Sequence, residues 1–456
     1  MISYLNRTFV YPAYMKWHNY NRLDMLKKTE EQQWDSMNDV LERQFQSLKI
    51  MLNYAYEHVK YYKKVFDEYQ VRPNDIKTPD DVKKIPVLTK SDIQNNLESL
   101  LSDACPASSR YQDASGGSTG QPTIIYLDRN GLDRKFAAML MSDKRTGWQV
   151  GEKVVYLWGA DHEVNKLKRM KEKILHRFVF RDETLNAFAL TEDVMAAFAK
   201  RLISSKPSLI VAYTNVAFLF ANYLRRNNLT GICPKGIICS AETLTEEKRK
   251  FIEETFQCKV FNRYGSREVG LIASECDRQE GLHINADDIY LEIGPFSKLY
   301  NESRDTGEII VTDLINKVMP LIRYNMGDVG KLGKSVCSCG RGHPLIQEIA
   351  GRTSDFIIHP DGRLIHGELF SHAFYGIKEV RQFQIIQNKL DVLEVKVVLS
   401  GYLEKSMQDL IVDKIQDTVG DTVRVELSNV DHIPIPPSGK FRFVISNVNV
   451  SSVSNK

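Results

Sequence analysis

Between residues 29 and 70, apolar side chains recur at helical spacing, at Met37, Leu41, Phe45, Leu48, Leu52 and Tyr56, with polar residues between them. That period predicts a helical opening to the chain. The stretch Ile85-Pro86-Val87-Leu88-Thr89-Lys90-Ser91-Asp92 follows; its proline ends one element and Ser91 is placed to cap the next helix. From about 120 to 330 the pattern changes to short β-branched runs alternating with helical stretches: 153–158, 209–212, 236–239, 259–261, 289–293 and 308–312. Strands alternating with helices predict a layered α/β domain. Beyond Gly351 the pattern becomes strand, helix and strand, with strands at 382–387, 393–399 and 423–427 and a helix over 403–419, which predicts a small α+β domain. Neither an internal repeat nor a low-complexity segment interrupts this order.

A length of 456 residues exceeds what one hydrophobic core usually organises, so two domains are expected on size as well as pattern. Hydrophobic residues make up 43% and charged residues 26%, enough apolar material for a large core. The 61 basic and 58 acidic residues leave a net charge of +3, which gives no electrostatic case for a nucleic-acid partner. The basic run Lys166, Lys168, Arg169, Lys171 and Lys173 is interrupted by Glu172 and reads as a solvated helix face. No apolar stretch of about 18 residues occurs, and the N-terminus, with Arg7, Tyr11 and Tyr14, lacks a signal-peptide core, so no membrane span and a cytoplasmic location are expected. Seven cysteines, an odd number spread over a long chain, fit reduced thiols or metal ligands better than a disulfide framework.

The richest chemistry lies in Ser115-Gly116-Gly117-Ser118-Thr119-Gly120-Gln121-Pro122-Thr123, ahead of the strand-like Ile124-Ile125-Tyr126. Three glycines let backbone N–H groups turn toward an anion, and the hydroxyls add donors. Phosphates of ATP suit such a loop. It is not the Walker pattern, since no lysine follows the last glycine and a strand comes next. Taken alone, the run also fits a flexible surface loop.

With its proline and threonine, the run resembles the Ser/Thr/Gly-rich signature of the adenylate-forming superfamily of acyl-CoA synthetases, luciferases and nonribosomal-peptide adenylation domains. Companion motifs follow in the superfamily's order. Tyr264-Gly265-Ser266-Arg267-Glu268 resembles its Tyr-Gly-x-x-Glu element, which implies Tyr264 against adenine, and Ser266 and Glu268 at the phosphate and Mg²⁺. Ser240-Ala241-Glu242 resembles a base-contacting Gly-Ala-Glu segment, and Asp328, after Arg323-Tyr324-Asn325-Met326-Gly327, matches the acceptor of the ribose hydroxyls. Gly351-Arg352-Thr353-Ser354-Asp355 resembles the hinge, with Arg352 near ribose or phosphate and Asp355 at the pivot. Pro436-Pro437-Ser438-Gly439-Lys440 resembles the loop that delivers the catalytic lysine. The helical N-terminus and its Ile-Pro-Val-Leu-Thr-Lys stretch look like the phenylacetate-CoA ligase branch, which includes CapK-type capsular polysaccharide biosynthesis proteins.

The resemblance implies a large multi-layered α/β domain over 1–352 that binds ATP and acid. A small α+β lid over 353–456, joined by the hinge, would carry Lys440. It also implies ligase chemistry with ATP, Mg²⁺ and CoA, catalysed by Lys440, Glu268 and Arg352, and an acid pocket at Tyr213, Thr214 and Asn215, although Phe218 and Phe220 just beyond fit a plain helix core equally well. After Asp355, however, Phe356-Ile357-Ile358-His359-Pro360 departs from the glycine-rich loop of the CoA ligases. An amine or carrier-protein acceptor, such as an amino sugar in surface-polysaccharide or natural-product assembly, therefore stands beside CoA, as does a nucleotide-binding scaffold without catalysis.

Cys337-Ser338-Cys339-Gly340 has the form of a metal knuckle, and Cys276 and His283 offer the missing pair. A Cys₃His set of this kind, also found in some phenylacetate-CoA ligase-like proteins, would be a closed structural Zn²⁺ site, with His343 the substitute if His283 points elsewhere. Unrelated reduced thiols are the alternative. Cys105, Cys233, Cys239 and Cys258 have no partners at metal spacing and read as packing residues.

Overall fold

The computed structural model describes residues 2–114, 123–158, 174–187, 191–294, 306–333, 336–352, 356–361, 364–366, 370, 373–374, 377, 379–434 and 443–448. Two compact units are present: one comprises 1–292, 310–325 and 332–348, the other 293–309, 326–331 and 349–456.

The first unit opens with helices, among them Arg22–Gln32, Met37–His58 and Lys60–Glu68. The long one begins where Ser36 accepts a hydrogen bond from the Asp39 N–H. It buries Val40, Gln44, Leu48, Met51, Leu52 and Ala55, while Leu41 is exposed. The core face is thus shifted from the one that apolar periodicity picks out. The physical reason is Gln44, a polar residue made fit for burial because its Nε2 donates to the Ile289 carbonyl at 2.7 Å. Further on, the helix Lys90–Asn95 is capped by Thr89, which exchanges hydrogen bonds with Asp92, and not by Ser91 as its position suggests. The preceding segment is clamped: Leu88 pairs with Tyr324, and the Arg323 guanidinium donates to the carbonyls of Lys83 and Ile85 while pairing with Glu292 at 3.0 Å.

From Leu345–Arg352 onward, the eleven-stranded sheet has the spatial order Leu345–Arg352, Leu282–Ile284, Gly270–Glu275, Lys259–Ser266, Gly236–Ser240, Leu209–Tyr213, Val154–Trp158, Asp182–Asn186. The last five strands are parallel and the others antiparallel. Leu209–Tyr213 is buried along its whole length, as a parallel strand covered on both faces must be. One face packs on Glu192–Ser205, Thr214–Arg226 and Glu246–Phe256 through Phe198, Leu202, Phe220, Ile252 and Phe256. Phe220 is fully buried there and Phe218 packs on Phe251, so both belong to the helix core. The other face packs on Arg129–Lys144 and the N-terminal helices through Tyr11, Met15, Ala137, Met141 and Trp148.

In the second unit, Val380–Lys389 and Val392–Leu399 form a central antiparallel pair, flanked in parallel by Val444–Ser446 and Arg424–Asn429. The helix Lys405–Val419 closes its core with Ile411, Ile415 and Val419. The buried Gln387 carboxamide exchanges hydrogen bonds with both backbone groups of Ile358 and so ties the hairpin Phe356–Ile358/Leu364–His366 to this sheet.

Candidate active site and metal centre

In an open α/β sheet, ligands bind beyond the carboxyl ends of parallel strands, where the strand order changes direction. Here those ends carry Trp158, Tyr213 and Ser240, and the next strand runs on to Ser266 before the sheet turns antiparallel. The Trp158 and Tyr213 rings stack at 3.9 Å with 22° between their planes. Tyr213 was legible as an acid-pocket candidate; Trp158 was not, although its place at the end of an apolar run was the available signal. Thr214 and Asn215 start the following helix. Their polar groups serve the neighbouring turn: Thr214 Oγ1 donates to the Glu242 carbonyl at 3.1 Å, the Asn215 N–H donates to the Glu242 carboxylate at 2.7 Å, and Asn215 Oδ1 accepts from Lys248. Glu242 thereby places a negative charge at a helix N-terminus. Ala241 between them adopts a left-handed φ of 67°, and Ser240 Oγ donates to the Arg263 carbonyl at 2.9 Å.

The Tyr264–Glu268 segment forms the bulged turn between two antiparallel strands. Gly265 is required by close approach, since a Cβ there would lie 2.5 Å from the Gly270 carbonyl oxygen. Ser266 Oγ accepts from the Val269 N–H. Arg263 anchors the strand through a buried pair with Asp143 at 2.8 Å. Tyr264 is half-buried and Glu268 buried. Two cations tie this turn to the segment that flanks the glycine-rich loop. Lys135 Nζ donates to the carbonyls of Arg267 at 3.0 Å and Glu268 at 2.8 Å, and Arg267 donates to the Ala114 carbonyl at 3.2 Å. Nothing in the sequence singles out Lys135, because a lone lysine in a helix has no motif.

Ser115, Gly116, Gly117, Ser118, Thr119, Gly120, Asp355, Lys440 and the basic run 166–173 lie outside the described residues. Arg352 ends the strand Leu345–Arg352. Asp328, in the second unit, is half-buried within Tyr324–Leu332, one residue after Gly327 with its φ of 70°.

Cys276, His283, Cys337 and Cys339 come together, with their donor atoms all within 4.8 Å of one another. Cys276 and Cys337 sulfurs are 3.7 Å apart, and Cys339 Sγ is 3.4 Å from His283 Nε2. A tetrahedral Zn²⁺ with Zn–S of about 2.3 Å and Zn–N of about 2.0–2.1 Å has S···S edges of about 3.8 Å and S···N edges of about 3.5 Å, so the donor set fits the ion. Electrostatics agree. Arg145 Nε is buried without a hydrogen-bond partner among the described residues; burial pushes the guanidinium down to about 10, and Cys276, Cys339 and Cys337 counter that shift. Three thiolates on Zn²⁺ would present the net negative charge this cation otherwise lacks. His283 is held neutral, as a ligand must be, its pKa lowered to about 3 by burial and by Arg145, His343 and Arg341. His343 does not join the cluster: its Nε2 pairs with Asp287 at 3.2 Å. Among the remaining cysteines Cys239 is buried and Cys105 and Cys258 are half-buried, whereas Cys233 is exposed, unlike the packing residue expected there.

The same fold is seen in solved 2-hydroxyisobutyryl-CoA ligase in the postadenylation state, in complex with R3-HIB-AMP: the TM-score is 0.67 at 19% identity, covering 91% of this chain and 90% of the other. The chain has the architecture of the adenylate-forming carboxylate ligases. By sequence it is 26% identical to protein CapK of Staphylococcus aureus, across 98% of this chain and 96% of that protein. It is also 26% identical to the phenylacetate-coenzyme A ligase of Thermus thermophilus, across 88% of this chain and 95% of that one. Residues 357–447 match the CapK C-terminal domain. Over most of its length the chain is thus similar both to phenylacetate-coenzyme A ligases and to CapK. Among the described residues no helix is long and apolar enough to cross a membrane.

Proposed function

We propose that this protein activates a carboxylic acid as its acyl-adenylate, using ATP and Mg²⁺, and transfers the acyl group to CoA. The observation that carries the reading is the likeness to phenylacetate-coenzyme A ligases over most of both chains, together with the Tyr264–Glu268 turn at the sheet's change of direction. A carboxylate is a poor acyl donor because oxide would have to leave. Attack of its oxygen on the α-phosphorus forms a mixed anhydride and releases pyrophosphate; the thiol then displaces AMP, giving up its proton. The protein's part is positioning and charge neutralisation.

In this reading the 115–120 loop holds the pyrophosphate, Tyr264 and the 240–242 segment receive adenine, and Asp328 the ribose. Glu268 is the hard oxygen ligand for Mg²⁺, which neutralises the departing charge. Lys440, carried on a lid of residues 353–456 that pivots at Asp355 between the half-reactions, serves adenylation together with Arg352 of the large domain. Stacked Trp158 and Tyr213 favour a flat or aryl acid. Cys276, His283, Cys337 and Cys339 hold a structural Zn²⁺, closed by four protein ligands and without a part in the chemistry. The protein works in the cytoplasm.

A second reading is favoured by the match of residues 357–447 to the CapK C-terminal domain: transfer of the acyl group to an amine or a carrier protein in surface-polysaccharide assembly. ATP–pyrophosphate exchange across aryl, short-chain, hydroxy and amino acids tests adenylation. AMP release that depends on CoA supports the first acceptor, and exchange without CoA-dependent release supports the second. Silence across the whole panel turns the balance toward a nucleotide-binding scaffold.

A further inference from the structure

We propose that Lys135 is a positioning residue for Glu268, setting the direction of its carboxylate toward the metal of bound MgATP. This inference rests on the magnesium role assigned to Glu268 above.

The turn that carries Glu268 joins two strands, and its geometry depends on what its backbone groups meet. Lys135 Nζ donates to two consecutive carbonyls, those of Arg267 and Glu268, at 3.0 and 2.8 Å. One ammonium on successive carbonyls fixes both peptide planes that flank the Glu268 Cα, and hence the direction in which its side chain leaves the backbone. Lysine is built into this place. The strand resumes at Gly270, whose φ is 79°, and a Cβ added there would lie 2.9 Å from Lys135 Cγ, so the lysine stem occupies the room that the glycine leaves. The helix Arg129–Lys144 that supplies Lys135 is itself pinned by Asp128, which accepts from the Gly131 N–H at 2.7 Å.

The same helix follows directly from the hairpin Tyr111–Ala114/Ile124–Leu127, whose two strands flank the glycine-rich loop. Arg267 closes the circuit from the other side by donating to the Ala114 carbonyl, the last described residue before that loop. Lys135 and Arg267 together make a brace between the metal-binding turn and the base of the phosphate loop. A shift of about 1 Å at such a carboxylate is enough to cost about 100-fold in rate or binding that depends on it.

The test is ATP binding by titration calorimetry on the full-length protein, with Mg²⁺ and with EDTA, for the native chain, Lys135→Met and Glu268→Gln. Lys135→Met keeps the stem and removes the charge. Expected is a roughly ten- to hundred-fold loss of the affinity gained through Mg²⁺, with metal-free ATP binding unchanged. Glu268→Gln should lose the same increment. If Lys135→Met keeps the full magnesium increment while Glu268→Gln loses it, the positioning role is overturned and the magnesium role stands. If Glu268→Gln keeps it, the magnesium role itself fails and this inference falls with it. Equal weakening of metal-free and metal-bound ATP in Lys135→Met marks a merely structural lysine and also overturns the proposal. Should Lys135→Met not fold, Lys135→Gln, whose shorter amide reaches one carbonyl, is expected to show a partial loss of the magnesium increment, and an intact increment there is equally fatal.

Discussion

Trp158 and Tyr213 lie ring on ring at the carboxyl ends of adjacent parallel strands, 3.9 Å apart. Stacked rings of this kind form a rigid flat wall. Tyr213→Ala is expected to raise KM for the acid by about ten-fold, the loss of one apolar contact, with KM for ATP unchanged. Acid-dependent ATP–pyrophosphate exchange measures both, and an equal rise in the two constants would remove Tyr213 from the acid pocket.

Purified protein should carry one zinc per chain by elemental analysis. Replacing Cys276 or Cys337 with serine is expected to remove the metal and lower Tm, while the ATP–pyrophosphate exchange rate per folded molecule, measured below the new Tm, stays near the native value. A native-like Tm in both variants, with no metal in the native protein, would return these residues to the status of separate thiols.

Chelated protein gains a pH dependence from His283. Its folded pKa is near 3 against an ordinary value of 6.5, so between those limits the unfolded chain binds a proton that the folded chain refuses. Stability therefore falls as pH is lowered from about 6.5 toward 3, by about 1.4 kcal/mol per pH unit for the one proton. Urea unfolding of the chelated protein, with the native sequence and as His283→Asn, across this range checks the slope, which the variant should show reduced by that amount.

Gly265→Ala forces a Cβ against the Gly270 carbonyl. The expected cost is about 2 kcal/mol or more, because the contact is with backbone and cannot be relieved by a rotamer change. Nucleotide binding should weaken along with stability, since Tyr264 and Glu268 sit on the same turn. Thermal unfolding with and without ATP separates the two effects.

Lys440→Ala is expected to reduce ATP–pyrophosphate exchange about 100- to 1,000-fold while leaving thioester formation from supplied acyl-adenylate nearly intact. Equal loss in both half-reactions, or in neither, would displace Lys440 from adenylation.

Much of the fold was readable because it rests on local signals. The parallel strands at 154–158, 209–213 and 236–240 stand out as β-branched runs, and the tail helix ending at Val419 as a periodic one. The Cys₃His cluster was readable for a different reason: cysteine and histidine announce their chemistry by type, so four residues spread over 64 positions could be grouped before any contact was known. What escaped were residues whose role depends on a distant partner. Gln44 is polar by type and core by place, through a carbonyl 245 residues away; Lys135 reaches a turn 132 and 133 residues away. Type and spacing say nothing about either.

The cysteine knuckle also has a bearing on when the protein can finish folding. Gly342 is pressed so closely against Asp35 that a Cβ would collide with its carbonyl, the Gly342 N–H donates to the Gln33 carbonyl, and Arg341 donates to the Gln33 side chain across 308 positions of sequence. At synthesis rates of about 5–20 residues per second, the segment around Gln33 and Asp35 must wait about 15–60 s before this partner exists. During that interval Gln33, Asp35 and the start of Met37–His58 lack the native partner they meet in Arg341 and Gly342, so the nascent chain, more than the finished protein, is the form most in need of a chaperone's protection.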